Sequence, residues 1–253
     1  MLVAERHQKI VNLVNEKLSI RVSELSRIFG VTEETIRRDL EKLEKEELLQ
    51  RSHGGAVSIK KLQSEVSYLE REVTNAEEKR KIAQKAVSFI EPEDIIVLDA
   101  SSTTWYMAKE LPDMSLTVLT NSIKVAIELS AKEQVKVIST GGLLLPESLS
   151  YVGPLAERSL QMYHVNKAFI SCKGVHMETG LSDSIEWQAL VKRQMMDIAD
   201  QTILLADSSK FGVRTFTQVA PLHGVKEIIT DENINPTFVT TCKEKNIKMH
   251  IIN

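Results

Sequence analysis

The amino-acid sequence predicts an α/β protein in two parts, a small N-terminal helical module and a larger domain with a mostly parallel sheet. Residues 5–43 contain three segments whose apolar residues recur at helical spacing. From residue 79 onwards, short apolar strands alternate with helical segments, and this alternation is typical of a parallel sheet with helices on both faces. The 253 residues of the chain are enough for both parts.

The stretch TEETIRRDLEKL, residues 32–43, predicts a helix that reads DNA. Ile36, Leu40 and Leu43 recur at i, i+4 and i+7 and form one apolar face. Thr32 suits the N-cap, and the glutamates of the first turn match the helix dipole. The opposite face offers hydroxyl and basic side chains for phosphate contacts and base readout. The candidate DNA contacts of this helix are Thr32, Glu34, Thr35, Arg37, Arg38 and Lys42.

The segments around this helix decide between two interpretations of its arginines. On a merely solvated helix face, Arg37 and Arg38 would only pair with neighbouring glutamates. The flanking order is instead three helices followed by two strands that meet at Gly54-Gly55. That order is a winged helix-turn-helix and favours DNA contact. The remaining candidate DNA contacts are Arg21, Arg51 and His53.

The helix before the recognition helix is predicted within residues 21–31. We expect Ser23 to cap it and Gly30 to end it in a left-handed turn. Its predicted buried face consists of Leu25, Ile28 and Phe29.

Charge distribution supports a nucleic-acid contact for the N-terminal module. The chain is 42% hydrophobic with a formal net charge of −3, an ordinary globular composition. Residues 1–61 hold 12 Lys and Arg against 10 Asp and Glu, whereas the remainder holds 20 against 25. Because the basic excess is small, we expect specific DNA binding to need a homodimer or homotetramer. With no apolar run of ~20 residues and no N-terminal signal, we also expect a cytoplasmic protein without membrane contact.

Cysteine and histidine spacing predicts no metal site, and we expect no cofactor. Cys172 and Cys242 lack metal-ligand spacing, so we expect reduced thiols. Histidines outside the wing are also dispersed, which favours surface or packing roles for His7, His164, His176, His223 and His250.

Polar residues follow five strands of the larger domain. The predicted strands are 95–98, 116–119, 135–138, 168–171, 203–206, 226–229 and 248–252. In parallel sheets, ligands bind beyond the carboxyl ends of the strands. Each polar residue alone could be a cap, turn or loop residue, but their convergence on one edge favours a small anionic ligand, with a phosphate at a helix N-terminus. The candidate ligand residues are Asp99, Ser101, Ser102, Thr103, Thr104, Thr120, Asn121, Gly141, Gly142, Lys173, Asp207 and Lys210.

Both parts resemble the DeoR family of transcriptional repressors. In the first part the resemblance rests on VTEETIRRDLEKL and RSHGGA; in the second it rests on LDASSTT, TVLTNS, GGLLLPESLSYVG, KAFIS and ILLADSSKFG. It implies a second domain that resembles sugar-phosphate isomerases in fold and binds a phosphorylated sugar. By the same resemblance, residues 101–104 and Lys210 would hold the phosphate, while Asp99, Asn121 and Glu186 would contact sugar hydroxyls. Lys192 is a further member of this site. Many family members carry glycine where this chain has Ser101, which implies an altered ligand geometry.

These observations predict a winged helix-turn-helix DNA-binding domain over 1–59, a linker over 60–78 and a Rossmann-like effector-binding and oligomerisation domain over 79–253. The predicted function is repression of a carbohydrate-catabolism operon, relieved by a phosphorylated sugar. The alternative is a sugar-phosphate isomerase with a regulatory DNA-binding head, with Asp99, Glu186 and Asp207 as candidate bases. No paired-carboxylate motif stands out and the head would be unexplained, so we predict that the chain is not an enzyme.

Overall fold

The computed structural model divides into two compact units, Met1–Glu65 and Val66–Asn253. His53, a predicted DNA contact, lies outside the described residues. The described residues are 3–17, 19–46, 48–52, 54–57 and 67–252.

The first unit combines three helices with a small antiparallel sheet. The chain order is α1 (Val3–Lys17), β1 (Ser19–Arg21), α2 (Val22–Phe29), α3 (Glu33–Lys45), β2 (Gln50–Ser52) and β3 (Gly55–Val57). The sheet order is β1-β3-β2, so the predicted hairpin gains a third strand that was not predicted. The apolar face of α3 is buried as predicted, because Ile36, Leu40 and Leu43 are at most 1% exposed.

The turn between α2 and α3 confirms two local predictions. Gly30 adopts a left-handed backbone with φ 64°, which glycine tolerates because it has no Cβ. Thr32 caps α3, and its hydroxyl oxygen accepts a hydrogen bond from the Thr35 amide at 3.3 Å.

Two predictions for α2 are wrong. The helix starts at Val22 and has no side-chain cap, so Ser23 lies inside it. The buried stripe begins with Val22 and Leu25 and continues to Phe29, at i, i+3 and i+7. Ile28 falls outside that stripe and is 48% exposed.

A buried ion pair fixes the recognition helix α3 to α1. The Arg6 guanidinium donates two hydrogen bonds to the Asp39 carboxylate, at 2.6 and 3.0 Å. His7 Nε2 lies 2.9 Å from the same carboxylate. Burial alone would raise the pKa of Asp39, but the hydrogen bonds and charge of Arg6 and His7 lower it. The charge of Asp39 is therefore paired with buried partners inside the unit, whereas the arginines of α3 face outwards.

The second unit is built on a seven-stranded parallel sheet in the order β15-β14-β12-β9-β4-β5-β6. All seven predicted strands are present. Their bounds are β4 (Ile95–Leu98), β5 (Leu116–Thr120), β6 (Val135–Ser139), β9 (Val165–Ile170), β12 (Ala199–Leu205), β14 (Glu227–Asp231) and β15 (Lys248–Ile252).

Helices cover both faces of this sheet. They are α4 (Tyr68–Val73), α5 (Ala76–Val87), α6 (Ser102–Glu110), α7 (Ile123–Leu129), α8 (Pro154–Gln161), α9 (Glu186–Asp197) and α10 (Pro236–Glu244). Alternate strand residues enter different cores: Ile96 and Leu98 join one cluster, and Val97 joins the other. Strands buried on both faces explain the continuous apolar runs in the sequence.

The strand order reverses between β4 and β9. From β4 the chain proceeds outwards through β5 and β6, then returns to the other side of β4 with β9 and continues through β12. Such a reversal leaves a crevice at the carboxyl ends of the two central strands, where open α/β sheets bind ligands.

Short antiparallel strands that were not predicted complete the unit. The hairpin β7 (Leu143–Leu145) and β8 (Ser150–Val152) follows β6. A separate sheet has the order β10-β11-β13, with β10 (Gly174–His176), β11 (Gly180–Asp183) and β13 (Thr217–Ala220).

The second half of the predicted linker over 60–78 is helical. Residues 68–73 form α4, and α5 begins at residue 76. Tyr68 is 1% exposed and belongs to a core cluster of the second unit. This stretch of the sequence is mostly polar and has few large apolar residues. One buried tyrosine therefore anchors it to the core. Residues 60–66 lie outside the described part of the chain.

Replacing Asp39 with asparagine should loosen the first unit. Arg6 would stay buried beside a neutral amide, and leaving a buried charge uncompensated costs about 3–5 kcal/mol. Hydrogen exchange in the intact chain should show faster exchange in α3 and unchanged exchange in β4 and β9. Lys45→Ala, which removes an exposed pair with Glu41, is the control and should change α3 by less than about 0.5 kcal/mol. Unchanged exchange in Asp39→Asn would contradict the locking role.

Candidate functional site

The outer face of α3 presents its arginines to solvent. Arg37 and Arg38 pair with the glutamates four residues earlier, Arg37 with Glu33 at 2.7 Å and Arg38 with Glu34 at 3.5 Å. The Arg38 side chain is 79% exposed. Exposed pairs of this kind contribute at most about 0.5 kcal/mol, so a DNA phosphate or base edge can replace the glutamate at little cost.

The wing is fastened to the helices by backbone hydrogen bonds. The Arg51 amide donates to a Glu44 carboxylate oxygen on α3 at 2.8 Å. The Val22 amide at the start of α2 donates to the Gly54 carbonyl at 2.9 Å. These bonds fix the wing relative to the recognition helix. The predicted DNA contacts Arg21, Lys42 and Arg51 are all exposed, and Thr35 is half-buried beside Thr32.

A buried ion cluster lies at the carboxyl ends of β4 and β9. Lys192 Nζ on α9 lies 2.8 Å from Asp99 and 3.2 Å from Asp183. It also donates to the Ser171 carbonyl at 2.6 Å, and the Ser171 amide donates to Asp99 at 3.0 Å. Asp99 and Ser171 follow the two central strands, so the cluster occupies the point where the strand order reverses.

The ionised forms of this cluster are mutually stabilised. Burial alone would raise the pKa of Asp99, but the charge of Lys192 and hydrogen bonds from Lys192, Ser171 and Ser101 lower it. Burial would likewise lower the pKa of Lys192, but Asp99 and Asp183 raise it. One ammonium lies between two carboxylates, so the fully ionised cluster has an excess of one negative charge.

The loop after β4 forms the start of α6. Ser101 caps the helix and accepts a hydrogen bond from the Thr104 amide at 3.1 Å. The Thr104 hydroxyl is buried and lies 3.0 Å from an Asp99 carboxylate oxygen. Ser101 and Thr104 therefore organise the loop. The amides of Ser102 and Thr103 open α6 without an intrahelical acceptor, and they remain its predicted anion donors.

The two neighbouring strand ends contribute an amide and two glycines. Leu98 pairs with Thr120 in the sheet, so Asp99 and Asn121 follow at equivalent positions. Asn121 Nδ2 donates to the Tyr151 carbonyl at 2.9 Å, whereas its buried Oδ1 has no partner among the described residues. Gly141 and Gly142 follow β6; a Cβ on Gly142 would lie 2.7 Å from the Val152 carbonyl oxygen, and φ is 121°.

The other predicted residues occupy more varied positions. Asp207 follows β12 and is buried, and it lines a polar cavity of about 290 Å³. Lys173 and Lys210 are half-buried, and Lys173 donates its amide to the Ser182 carbonyl at 3.0 Å. Glu186 opens α9 with an exposed side chain, outside the buried cluster.

Sequence reasoning missed Asp183, and it included Lys192 only through the family resemblance. Asp183 lies on β11, which pairs with a strand more than thirty residues later and so has no local signature. Lys192 lies on α9 between the buried residues Val191 and Met195. Its position beside the apolar stripe of the helix is the signal that distinguishes it from the exposed Arg193.

Within the described residues, no group of three His, Cys, Asp or Glu side chains is placed to hold a metal ion. Cys172 and Cys242 are buried free thiols, and burial raises the pKa of Cys172 to about 12. In the same part of the chain, no helix is both long and apolar enough to cross a membrane.

The two units together define a class of protein, a DNA-binding regulator joined to an α/β sensor domain. Residues 6–62 match the DeoR-like helix-turn-helix domain, and residues 74–232 match the DeoR C-terminal sensor domain. The chain therefore belongs to the DeoR family and is a transcriptional regulator, which favours the regulatory prediction over the isomerase alternative.

Relatives cover nearly the whole chain. It is 61% identical over 249 residues to the uncharacterised transcriptional regulator YulB of Bacillus subtilis, covering 98% of this chain and 96% of YulB. It is 38% identical to the L-fucose operon activator of Haemophilus influenzae, covering 96% of this chain and 97% of the activator. Ribose 5-phosphate isomerase A of Methanocaldococcus jannaschii aligns over 55% of each chain at 18% identity with a TM-score of 0.41.

Replacing Lys192 with methionine should destabilise the second unit. Two buried carboxylates would lose their shared cation, which costs about 3–5 kcal/mol. Urea unfolding followed by tryptophan fluorescence measures this, since Trp105 and Trp187 both belong to the second unit. The control is Lys243→Met, an exposed lysine of α10.

The pH dependence separates lost charge pairing from poor packing. The depressed pKa of Asp99 in the wild type stabilises the fold above the unfolded carboxyl pKa of about 4, and this contribution disappears as the pH falls through the lower folded value. In Lys192→Met the like charges raise a carboxyl pKa, so the variant gains stability as the pH falls. We therefore expect the difference in free energy of unfolding between the wild type and Lys192→Met to be smaller at pH 5 than at pH 7. A difference that stays constant over this pH range would contradict the charge argument.

Proposed function

We propose that the chain is a cytoplasmic homodimeric or homotetrameric repressor of a carbohydrate-catabolism operon that releases its operator when a phosphorylated sugar binds. The observation that carries the proposal is the pairing of the exposed recognition helix with a polar site at the reversal point of the parallel sheet. Family membership supports both halves of this pairing.

The chemistry of the second site suits a ligand with one anionic and one hydroxylated end. The amides of Ser102 and Thr103 at the positive end of α6 favour a phosphate. The free Asn121 oxygen accepts a hydrogen bond from a sugar hydroxyl. The excess negative charge around Asp99 favours hydroxyl donors over a second anion.

Release of DNA requires that the ligand bind two arrangements of the protein with different affinity, because a ligand that binds both equally does not shift the equilibrium between them.

A transcription assay with the operator at its natural position tests whether the protein represses or activates. Higher transcription on adding the sugar phosphate to a promoter that the protein represses supports the proposal. Lower transcription on removing the protein would instead assign it an activating role, as the name of the fucose-operon relative states for that protein.

Replacing Arg38 with alanine should weaken operator binding by about 1–3 kcal/mol if it contacts a base edge. A phosphate contact would instead weaken binding to all sequences and reduce the salt slope by about one. Fluorescence anisotropy with an operator selected from a random DNA library, at several salt concentrations, measures both. Lys9→Ala removes an exposed charge from α1 and is the control. An Arg38→Ala affinity equal to that of the control would overturn the assignment of α3.

Sugar monophosphates should stabilise the second unit, whereas their unphosphorylated parents should not. A ligand at 100 times its dissociation constant adds about 2.7 kcal/mol to the free energy of unfolding. Thermal unfolding with a panel of pentose and hexose monophosphates, each beside its parent sugar, measures this. Thr103→Val, which removes one hydroxyl at the N-terminal end of α6, is the variant of the proposed phosphate site. Equal increases in unfolding temperature with the phosphorylated and the parent sugars would contradict the phosphate assignment.

A further inference from the structure

Helix α4 is held to the ligand loops by hydrogen bonds at its main chain. The Tyr68 amide donates to the Glu147 carbonyl at 2.6 Å, in the loop between β7 and β8. The Ser102 hydroxyl, at the start of α6, donates to the Arg71 carbonyl at 3.1 Å. Lys79 Nζ donates to the same carbonyl at 2.6 Å. The Arg71 carbonyl therefore accepts hydrogen bonds from a hydroxyl and from an ammonium, and both of these groups can also bind an anion.

Two further contacts fix the end of α4. Tyr106 on α6 donates its hydroxyl to the Glu72 carbonyl at 3.1 Å. Asn75, just after the helix, donates its amide to Asp207 at 3.0 Å, at the end of β12. Asn75 has a left-handed backbone with φ 51°. Residues 68–75 thus contact helix α6 and the loops that follow β7 and β12.

Helix α4 depends on these contacts for its position. It has six residues, and an isolated helix of that length is not stable in water. Tyr68 is buried, whereas Leu69 and Val73 are 69% and 73% exposed. The buried Tyr68 hydroxyl has no hydrogen-bond partner among the described residues, which opposes the docked position. This unsatisfied hydroxyl lowers the free-energy difference between the docked and released arrangements of α4.

We propose that α4 couples the ligand site to the DNA-binding unit, with Asn75 and Tyr106 as its positioning residues. A phosphate bound at the start of α6 competes with the Arg71 carbonyl for the Ser102 hydroxyl and attracts Lys79. Both effects favour release of α4. The helix is the first described element after the wing, so its release changes where the second unit holds the chain that leads to the DNA-binding unit. A short element with two arrangements is the physical basis that such coupling requires.

The proposal rests on the proposed function for its direction, since release must lower operator affinity. Two variants remove a contact of α4 without replacing a predicted ligand residue. Asn75→Gly removes the amide while keeping a residue that tolerates the left-handed backbone. Tyr106→Phe removes only the hydroxyl. Arg80→Ala, which breaks an exposed pair between α5 and α6, is the matched control.

The experiment measures operator affinity without any sugar, by fluorescence anisotropy on the full-length protein. Asn75→Gly and Tyr106→Phe should each weaken operator binding about threefold to tenfold, the factor that one hydrogen bond represents, and the control should not. Tyr68→Phe removes the unsatisfied hydroxyl, so it should tighten operator binding. Hydrogen exchange of residues 68–73 should be faster in the first two variants and slower in the third.

Operator affinities equal to the wild type in Asn75→Gly and Tyr106→Phe, with faster exchange in α4, would overturn the coupling role. Operator affinities that rise in these variants would overturn its direction. The measurement without sugar tests the coupling independently of the thermal-unfolding panel of sugar phosphates. If no sugar phosphate raises the unfolding temperature, the proposed ligand is wrong. The operator affinities of the α4 variants still show whether α4 is coupled to DNA binding. Inorganic phosphate serves as the second probe and should speed the exchange of α4 in the wild type but not in Ser102→Ala.

Discussion

The buried ion pair between Lys192 and Asp99 is the interaction on which the ligand edge of the second unit depends. It joins α9 to the loop after β4, and through Ser171 and Asp183 it also holds the end of β9 and the strand β11. Buried charges are stable only when every partner is present. The start of α6 lies just after Asp99, so the contacts that converge on this one ammonium help to place it.

This arrangement separates residues that build the site from residues that remain available to a ligand. Asp99 accepts hydrogen bonds at both carboxylate oxygens and is buried, so it orients the loop. The amides at the start of α6 and the free oxygen of Asn121 are the groups left for recognition. A rigid inner layer holds such groups within the narrow tolerances that selective binding needs.

The first unit uses the same principle on the recognition helix. Asp39 points inwards and is held by Arg6, while Arg37 and Arg38 point outwards and make only exposed pairs. One helix thus carries a strong buried contact that fixes its position and weak surface contacts that DNA can replace. In the proposed mechanism α4 is the coupling element, a short helix whose position depends on a few hydrogen bonds.

Local patterns in the sequence determined most of the secondary structure and the family. The spacing of Ile36, Leu40 and Leu43, the cap at Thr32 and the turn at Gly30 predict the recognition helix, because each effect acts within a few residues. The seven strands of the main sheet follow from short apolar runs in the same way. The polar residues after those strands predict the edge at which a ligand site lies.

Only the tertiary structure decided which polar groups are internal and which are available. Arg6 and Asp39 are 33 positions apart, and Asp99 and Lys192 are 93 positions apart. The local pattern can place a charged residue beside an apolar stripe, as it does for Lys192, but it does not identify the distant partner, so neither pair could be predicted in advance. The sheet containing β11 and the anchoring of α4 by Tyr68 likewise depend on distant partners. Burial and pairing are properties of the folded chain, because they are set by residues that meet only after the sheet has formed.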